Sequence, residues 1–569
     1  MKVFADLYRR LDSATSTRAK QDALVKAFAA AKADPARWAS AAWMAYFLSG
    51  GKPRQSAPTR LLRRLAMEES GLPEWLFDEC YANVGDLAET LSLLLPEGDV
   101  SEDPSLDFLM REGLMKLRAL DEEAKYARLR ALARALPAEQ RFPFFKLITG
   151  ELRVGVSRLQ VVKALAEVAG IDEKHMAQRM MGYAQAGRAP EAADFQALIG
   201  DIAHEEGADL DAGKPYPFYL AQSWQRPVAE MEATLGPPAN WIAEWKFDGI
   251  RAQLVKRGAS WRLWSRGEEL ISDSYPDLRL LADALPRGIA LDGELVVLPA
   301  REGARVDSLE GLAPFASLQQ RLGRKTITDK TLRELPVAFI AYDLLEYESR
   351  DLREAPQFER RARLAALVGS VFEASGGRVR LSPEVTAPTW EGLATRREEA
   401  RALGREGLML KARDGAYGIG RRKGDDRTDV WWKWKLDPMS VDAVLIYAQR
   451  GHGRRSGVYS DYTFALWSRD DGPQSREHVP FAKAYSGLTD SEMREVDAII
   501  RRTTVQTFGP VNSVTPTLVF ELGFEGLAPS KRHKSGVAVR FPRMLRWRRD
   551  KPVMEADTLA TLRALLPHV

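Results

Sequence analysis

The hydrophobic pattern changes character twice along the chain, and this limits the possible folds more than any other feature. Residues 1 to about 212 are rich in alanine, leucine, arginine and glutamate and poor in β-branched residues, so they read as helix almost throughout. Ser157 predicts an N-cap. Behind it Leu159, Val162, Leu165 and Ala169 fall on one helical stripe, and Gly170 predicts its end. A second helix, Ala124 to Leu136, carries Arg128, Arg130 and Arg134, which read equally as a solvated face and as phosphate contacts. Asp211 to Pro217 has the composition of a linker. Strand patterns follow at Trp241 to Trp245, Ala252 to Lys256, Trp261 to Trp264, Ile289 to Leu298, Val337 to Leu345 and Leu408 to Lys411, with a helix over Gln357 to Leu367. After Asp437-Pro438 the chain turns almost wholly to short strands, at Val441 to Gln449, Tyr462 to Trp467, Leu518 to Phe524 and Val537 to Phe541. One helix, Asp490 to Arg502, interrupts them, and the set suggests a small β-barrel. The expected organisation is an all-α domain over 1–212, an α+β domain over 213–438 and a β-barrel over 439–569.

Composition excludes several classes. The 569 residues are 45% hydrophobic and 28% charged, as in a globular protein, and have room for about three to four domains. A net charge of +4 spread over 83 lysines and arginines means that basic character is patchy, and patches govern nucleic-acid binding. The single cysteine, Cys80, cannot form an intrachain disulfide or a multi-thiolate zinc site, and it reads as a small buried hydrophobe. The N-terminus has no secretory apolar core, and no apolar run is long enough to span a bilayer. The expected location is the cytoplasm, at the nucleoid.

The chemistry concentrates in the middle domain. Glu244-Trp-Lys-Phe-Asp-Gly-Ile-Arg251 pins Lys246 between two strand runs, with a turn behind it at Asp248-Gly249. Ser265-Arg266-Gly267 follows a Trp-rich strand. Asp292-Gly293-Glu294 sets carboxylates inside an apolar strand, where a bare charge is costly and needs a partner. Tyr342 ends another apolar strand and offers an aromatic face. Glu406 precedes a strand, and with Glu294 it makes two carboxylates for a Mg²⁺ (or Mn²⁺) ion that also takes phosphate oxygens. In Trp431-Trp-Lys-Trp-Lys435 a period of two puts Lys433 and Lys435 on one face, which suits an anion between them. The loop Arg450 to Gly457, with Arg454 and Arg455, is basic and glycine-rich. It reads equally as a DNA-backbone contact and as a hairpin tip.

These residues, in this order, resemble the ATP-dependent DNA ligases over essentially the whole chain. Lys246-Phe-Asp-Gly-Ile-Arg251 looks like the family's nucleotide-attachment motif. Ser265 to Gly267, Asp292 to Glu294, Tyr342 to Leu344, Glu406-Gly407 and Lys433 to Lys435 look like the motifs that follow, and Arg540 to Lys551 looks like the last. Gly150 to Gly155, with Arg153, resembles the helical DNA-binding domain of the longer ligases. The resemblance implies an adenylation domain of ATP-grasp-like nucleotidyltransferase type and a barrel that is an OB-fold. It implies ATP as AMP donor and Lys246 as the nucleophile. Glu244 would read the adenine amino group and Tyr342, where the family usually has phenylalanine, would stack on the ring. Arg251, Arg266 and Glu294 would hold the ribose and its surroundings. Lys433 and Arg427 would reach the phosphates, with Arg421 and Arg422 competing for the last role, and Lys435 would help to free the Lys246 amine. Arg543, Arg548, Asp550 and Lys551 would serve the first step from the barrel. The implied partner is nicked duplex DNA bound by a monomer, with end-processing enzymes on separate chains. The rival readings are a capping or RNA-joining enzyme with the same lysine and a non-catalytic DNA-binding relative. The single Cys80 argues against a NAD-dependent ligase, whose usual four-cysteine zinc site it cannot build.

Overall fold

The computed structural model describes residues 1–52, 56–97, 103–150, 152, 154–185, 187–200, 213–298, 309, 311–321, 324, 326–421, 431–451, 457–468, 477–508 and 511–566. Helices fill the N-terminal third. Ser157 caps Arg158–Ala169 in a full capping box with Gln160, and Gly170 closes it in the left-handed conformation at φ 76°. The predicted second helix runs Glu122–Ala135. Arg130 and Arg134 of that helix both donate to Glu69, whose side chain is buried, while their own side chains stay 41% and 55% exposed, so they lie on a solvated face and also clamp Glu69. Cys80 is only half-buried, and the neighbouring Trp75 is exposed, because the helix Glu74–Val84 buries only Phe77.

Two compact units emerge. The first combines Met1–Arg54, Pro104–Arg111 and Gly150–Leu436, and the second combines Gln55–Asp103, Glu112–Thr149 and Asp437–Val569.

Among the described residues the first unit holds ten strands: β1 (Gln222–Ser223), β2 (Trp241–Trp245), β3 (Ile250–Arg257), β4 (Ser260–Ser265), β5 (Ile289–Val297), β6 (Val337–Tyr347), β7 (Arg350–Asp351), β8 (Val379–Leu381), β9 (Gly407–Ala412) and β10 (Trp431–Lys435). They form a sheet in the order β1-β10-β9-β2 and another in the order β4-β3-β5-β6-β7, with β8 parallel to β6. Strand β10 lies inside its sheet rather than at an edge, and Trp431, Trp432 and Trp434 are all buried. Each buried indole is worth about 2–3 kcal/mol of apolar burial. The face carrying Lys433 and Lys435 is covered only at its start, where Trp431 packs among Tyr219, Tyr342 and Tyr417, and both lysines stay half-buried. The expected linker is not loose at its described end either, since Tyr216 donates from its hydroxyl to Glu346 at 2.9 Å and Trp264 donates to the Gly213 carbonyl at 2.7 Å.

In the second unit, the C-terminal part comprises β11 (Met439–Arg450), β12 (Tyr459–Trp467), β13 (His478–Ala484), the helix Asp490–Thr503, β14 (Thr504–Phe508), β15 (Val511–Val514), β16 (Val519–Phe524), β17 (Gly526–Pro529), β18 (Val537–Arg540) and β19 (Arg543–Trp547). Strand β11 is long enough to pair with β12 on one side and with both β15 and β16 on the other. Beyond β16 comes β19, and a backbone hydrogen bond from Met544 to the Ser486 carbonyl, 3.0 Å, ties β19 to the chain just past β13. Phe464, Phe520, Leu522, Val496 and Ile500 fill the interior between this sheet and the helix.

Candidate active site

Strand pairing alone sets the central constellation. Strands β2 and β9 run antiparallel, and their pairing continues past the strand ends: Lys246 N–H donates to the Gly407 carbonyl at 2.8 Å and Glu406 N–H donates to the Lys246 carbonyl at 2.8 Å. The side chains of Lys246 and Glu406 therefore leave the same edge and form an ion pair. Strand β10 adds Lys435, whose Nζ lies 3.6 Å from the same Glu406 oxygen. This close pairing depends on Gly407: at φ 127° a Cβ there would lie 2.3 Å from the Trp434 carbonyl oxygen.

Glu294 comes to this edge from the other sheet. It sits opposite Arg251 in the β3–β5 pairing. Gly249, in the turn after Lys246, makes room for it, because a Cβ there would lie 2.2 Å from the Leu295 carbonyl oxygen and 2.8 Å from Glu294 Cγ. Burial pushes the Glu294 carboxyl up to about 7; Lys246 and Arg251 pull it down, and Glu406 and Asp292 push it further up. Among the described residues nothing hydrogen-bonds to this carboxylate.

Other predicted residues have partners that the sequence did not reveal. Arg251 is gripped by Asp292, from Nη2 at 2.7 Å and Nε at 3.2 Å, and it donates to the Tyr219 carbonyl at 2.5 Å. Tyr417 donates to the same Asp292 at 2.5 Å. Glu244 is buried, and its two oxygens are taken by Arg361 and, at 2.7 Å, by Lys411. Lys411 also donates to the Tyr342 carbonyl at 2.9 Å, with its ammonium 4.5 Å from the Tyr342 ring centre. Burial lowers the proton affinity of Lys411, which Glu244 counters. Tyr342 therefore has one edge against Trp431 and cations near its ring. Arg266 is exposed, in a turn held by its own N–H to the Arg251 carbonyl at 3.0 Å and by Ser265 N–H to the Glu269 carbonyl at 2.9 Å. Lys433 is half-buried on β10, opposite Met409.

The structure thus gathers Lys246, Glu406, Lys435, Glu294 and Arg251 at one edge, with Glu244 and Tyr342 on the adjoining strands. Arg153, Arg427, Arg454 and Arg455 lie outside the described residues. Arg361 and Lys411 were not foreseen as partners of Glu244. Lys411 does stand two residues after Met409, which pairs with Glu244, so strand alternation held a trace of it. Arg361 held none, because it arrives on the helix Gln357–Val371.

In the second unit the C-terminal cations are paired. Arg548 donates to Asp550 from Nε at 3.0 Å and from Nη2 at 2.8 Å, and to Asp442 from Nη1 at 2.7 Å. Lys551 donates to the same Asp442 oxygen at 2.7 Å. Arg548 holds the Asp550 carboxyl down at about 2. Arg543 lies 3.5 Å from Glu525 and Arg546 lies 3.3 Å from Glu521.

Comparison with known proteins places this geometry. Residues 219–435 match the family described as ATP dependent DNA ligase domain, and residues 1–166 match the DNA ligase N terminus. A probable DNA ligase of Koribacter versatilis is 32% identical, over 96% of this chain and 93% of the relative. This chain belongs to the ATP-dependent DNA ligase family. A second relative, a probable DNA ligase of Streptomyces coelicolor, is 32% identical over 74% of this chain and 77% of its own length. The solved structure of Pmar-Lig_Pre shares the fold at a TM-score of 0.57 and 16% identity, over 96% of this ligase and 99% of that chain. The ligase is an ATP-using enzyme that acts on DNA, built as a helical N-terminal region, a nucleotidyltransferase-type domain and a strand-rich C-terminal part. Among its described residues no helix is long and apolar enough to cross a membrane.

Proposed function

We propose that this ligase seals nicks in duplex DNA through a covalent lysyl-AMP intermediate on Lys246. The observation that carries the reading is the amine of Lys246 at a strand edge, faced by Glu406 and flanked by Lys435 and Glu294, within the stretch that matches the ATP-dependent ligase domain.

In the first step the Lys246 amine attacks the α-phosphorus of ATP, a P–N bond forms, and pyrophosphate leaves. The AMP then passes to the 5′-phosphate at the nick, which releases the lysine. In the last step the 3′-hydroxyl attacks that phosphate, the backbone closes and AMP departs. The resting ion pair sets a condition on the first step, because an ammonium bound to Glu406 has no lone pair. Glu406 must find another partner before Lys246 can react. Lys435, already near the same carboxylate, is placed to take over that pairing. Lys433 and Arg427 would hold the phosphates, Glu244 would read the adenine from its Arg361–Lys411 seat, and Tyr342 would support the ring. Arg251 and Arg266 would border the ribose.

Glu294 and Glu406 fit a divalent cation such as Mg²⁺ or Mn²⁺. Glu406 raises the proton affinity of Glu294 at this edge, Glu294 has no described hydrogen-bond donor, and Mg²⁺ favours one or two carboxylates with phosphate and water. Bound there, the ion would offset charge that grows on the phosphate oxygens.

The domain limits follow as 1–212 for DNA binding, 213–438 for adenylation and 439–569 for an OB-fold. The barrel reading is supported by the five-strand path β13-β12-β11-β16-β19 and by the Met544–Ser486 link at its ends. Arg153, Arg454 and Arg455 would contact DNA, and the protein would act as a monomer. Incubation with ATP labelled at the α-phosphate, followed by a denaturing gel, tests the reading. The wild-type chain should carry label, Lys246→Ala should not, and label persisting on the variant would place the nucleophile elsewhere.

A further inference from the structure

Asp442 is a buried carboxylate on the first strand of the C-terminal part, and no motif includes it. One of its oxygens accepts from both Arg548 and Lys551, each at 2.7 Å. The other oxygen is buried without a partner among the described residues, so the two cations converge on a single atom. The main chain at Asp442 is locked in turn. Its N–H donates to the Asp557 carboxylate at 2.7 Å, and its carbonyl accepts from Asp557 N–H at 2.8 Å. Arg548 N–H is fixed to the Val519 carbonyl at 2.9 Å.

We propose that Asp442 is a positioning residue for the first chemical step, holding Arg548 and Lys551 side by side in the arrangement that meets the pyrophosphate of ATP. This rests on the proposal that the two cations serve that step. Two like charges kept adjacent repel unless an anion lies between them, and Asp442 supplies that anion before ATP arrives. The hold does not exhaust the donors. A guanidinium has five N–H bonds and an ammonium has three. Asp550 and Asp442 take three from Arg548, and Asp442 takes one from Lys551, so each keeps two without a described partner. Those remaining bonds are free to meet phosphate oxygens while the carboxylates keep the cations in register. Pairing of this kind lowers the ordering cost of binding, which is the usual gain from preorganisation.

The test compares Asp442→Asn and Asp442→Glu with the wild-type full-length protein in two single-turnover reactions: self-adenylylation from labelled ATP, and sealing of nicked DNA that already carries the 5′-adenylate. Adenylylation by Asp442→Asn should slow on the order of 10- to 100-fold, while sealing of the pre-adenylylated nick stays within about twofold. Asp442→Glu should recover part of the loss. The double variant Asp442→Asn with Lys551→Ala should be slowed by less than the product of the two single losses, since the substitutions share the Asp442–Lys551 contact and only the hold on Arg548 remains to be lost. Equal loss in both reactions would make Asp442 structural and overturn the proposal. Wild-type adenylylation by Asp442→Asn, with Lys551→Ala slow, would also overturn it but leave the role of the cations standing. Wild-type adenylylation by Arg548→Ala and Lys551→Ala would remove that role and the proposal with it.

Discussion

Replacing Glu294 by glutamine should make the nucleotide-free protein more stable at alkaline pH. Burial, reinforced by Glu406 and Asp292 and countered by Lys246 and Arg251, moves this carboxyl from the ordinary 4.5 to about 7. At about 1.4 kcal/mol for each tenfold change in proton affinity, the ionised side chain costs the folded state roughly 3 kcal/mol. Water reaches part of the group, which reduces the expected cost to ~2 kcal/mol. The sign follows from proton linkage. Below the ordinary value the carboxyl is protonated in both folded and unfolded chains, and nothing is lost. As the pH rises through about 7 the folded protein must also give up its proton, and that stability disappears. Glutamine keeps the shape and has no proton to lose. Calorimetric unfolding of wild type and Glu294→Gln across this range should therefore give curves that coincide in acid and part by ~2 kcal/mol near pH 8, with the variant the more stable. Parallel curves, or a wild type that is the more stable at pH 8, would refute the argument that burial dominates at Glu294. Loss of self-adenylylation in the same variant would show stability and activity moving in opposite directions at one residue.

Three further outcomes follow from packing and charge. Gly249→Ala should abolish most self-adenylylation while the far-ultraviolet circular dichroism stays unchanged, since the added carbon meets the Leu295 carbonyl and the Glu294 stem. Lys411→Met removes a buried ammonium from Glu244 and should lower stability by about 3 kcal/mol in denaturant titrations, as for other half-broken buried pairs. The same variant should raise KM for ATP more than it lowers kcat. Glu69→Gln should cost about 1 kcal/mol, because Arg130 and Arg134, both partly solvated, would lose their common anion; an unchanged unfolding midpoint would mean that solvent replaces it entirely.

Regular elements were legible because their signals are local. The Ser157 cap, the Gly170 stop and the helix expected over residues 490–502 need only a few neighbouring residues, and the structure has all three, the helix running one residue further to Thr503. The strand-rich C-terminal part was equally readable from alternation. Lys246, Glu294 and Glu406 were legible as members of motifs, and pairing of β2 with β9 and β3 with β5 brings them to one edge. The partners of charged groups were not legible. Nothing in the sequence ties Glu244 to Arg361, more than a hundred positions away, or Glu69 to Arg130, because those pairs form only when separate elements pack. The same limit applied to β10. Its alternation gives the two faces of the strand, but only the sheet order shows that tyrosines from elsewhere cover the lysine side around Trp431. Cys80 failed for the converse reason: apolar neighbours in sequence do not ensure burial when a helix turns one face outward.

The contact between Lys246 and Glu406 has a consequence for the protein between turnovers. A bare amine in a crevice is open to any electrophile in the cell, from activated acyl groups to aldehydes, and one such encounter would disable the molecule for good. If Lys246 carries the AMP as proposed, its pairing with Glu406 also keeps the amine engaged between turnovers, so the carboxylate that has to be displaced before the first bond forms would shield the nucleophile as well.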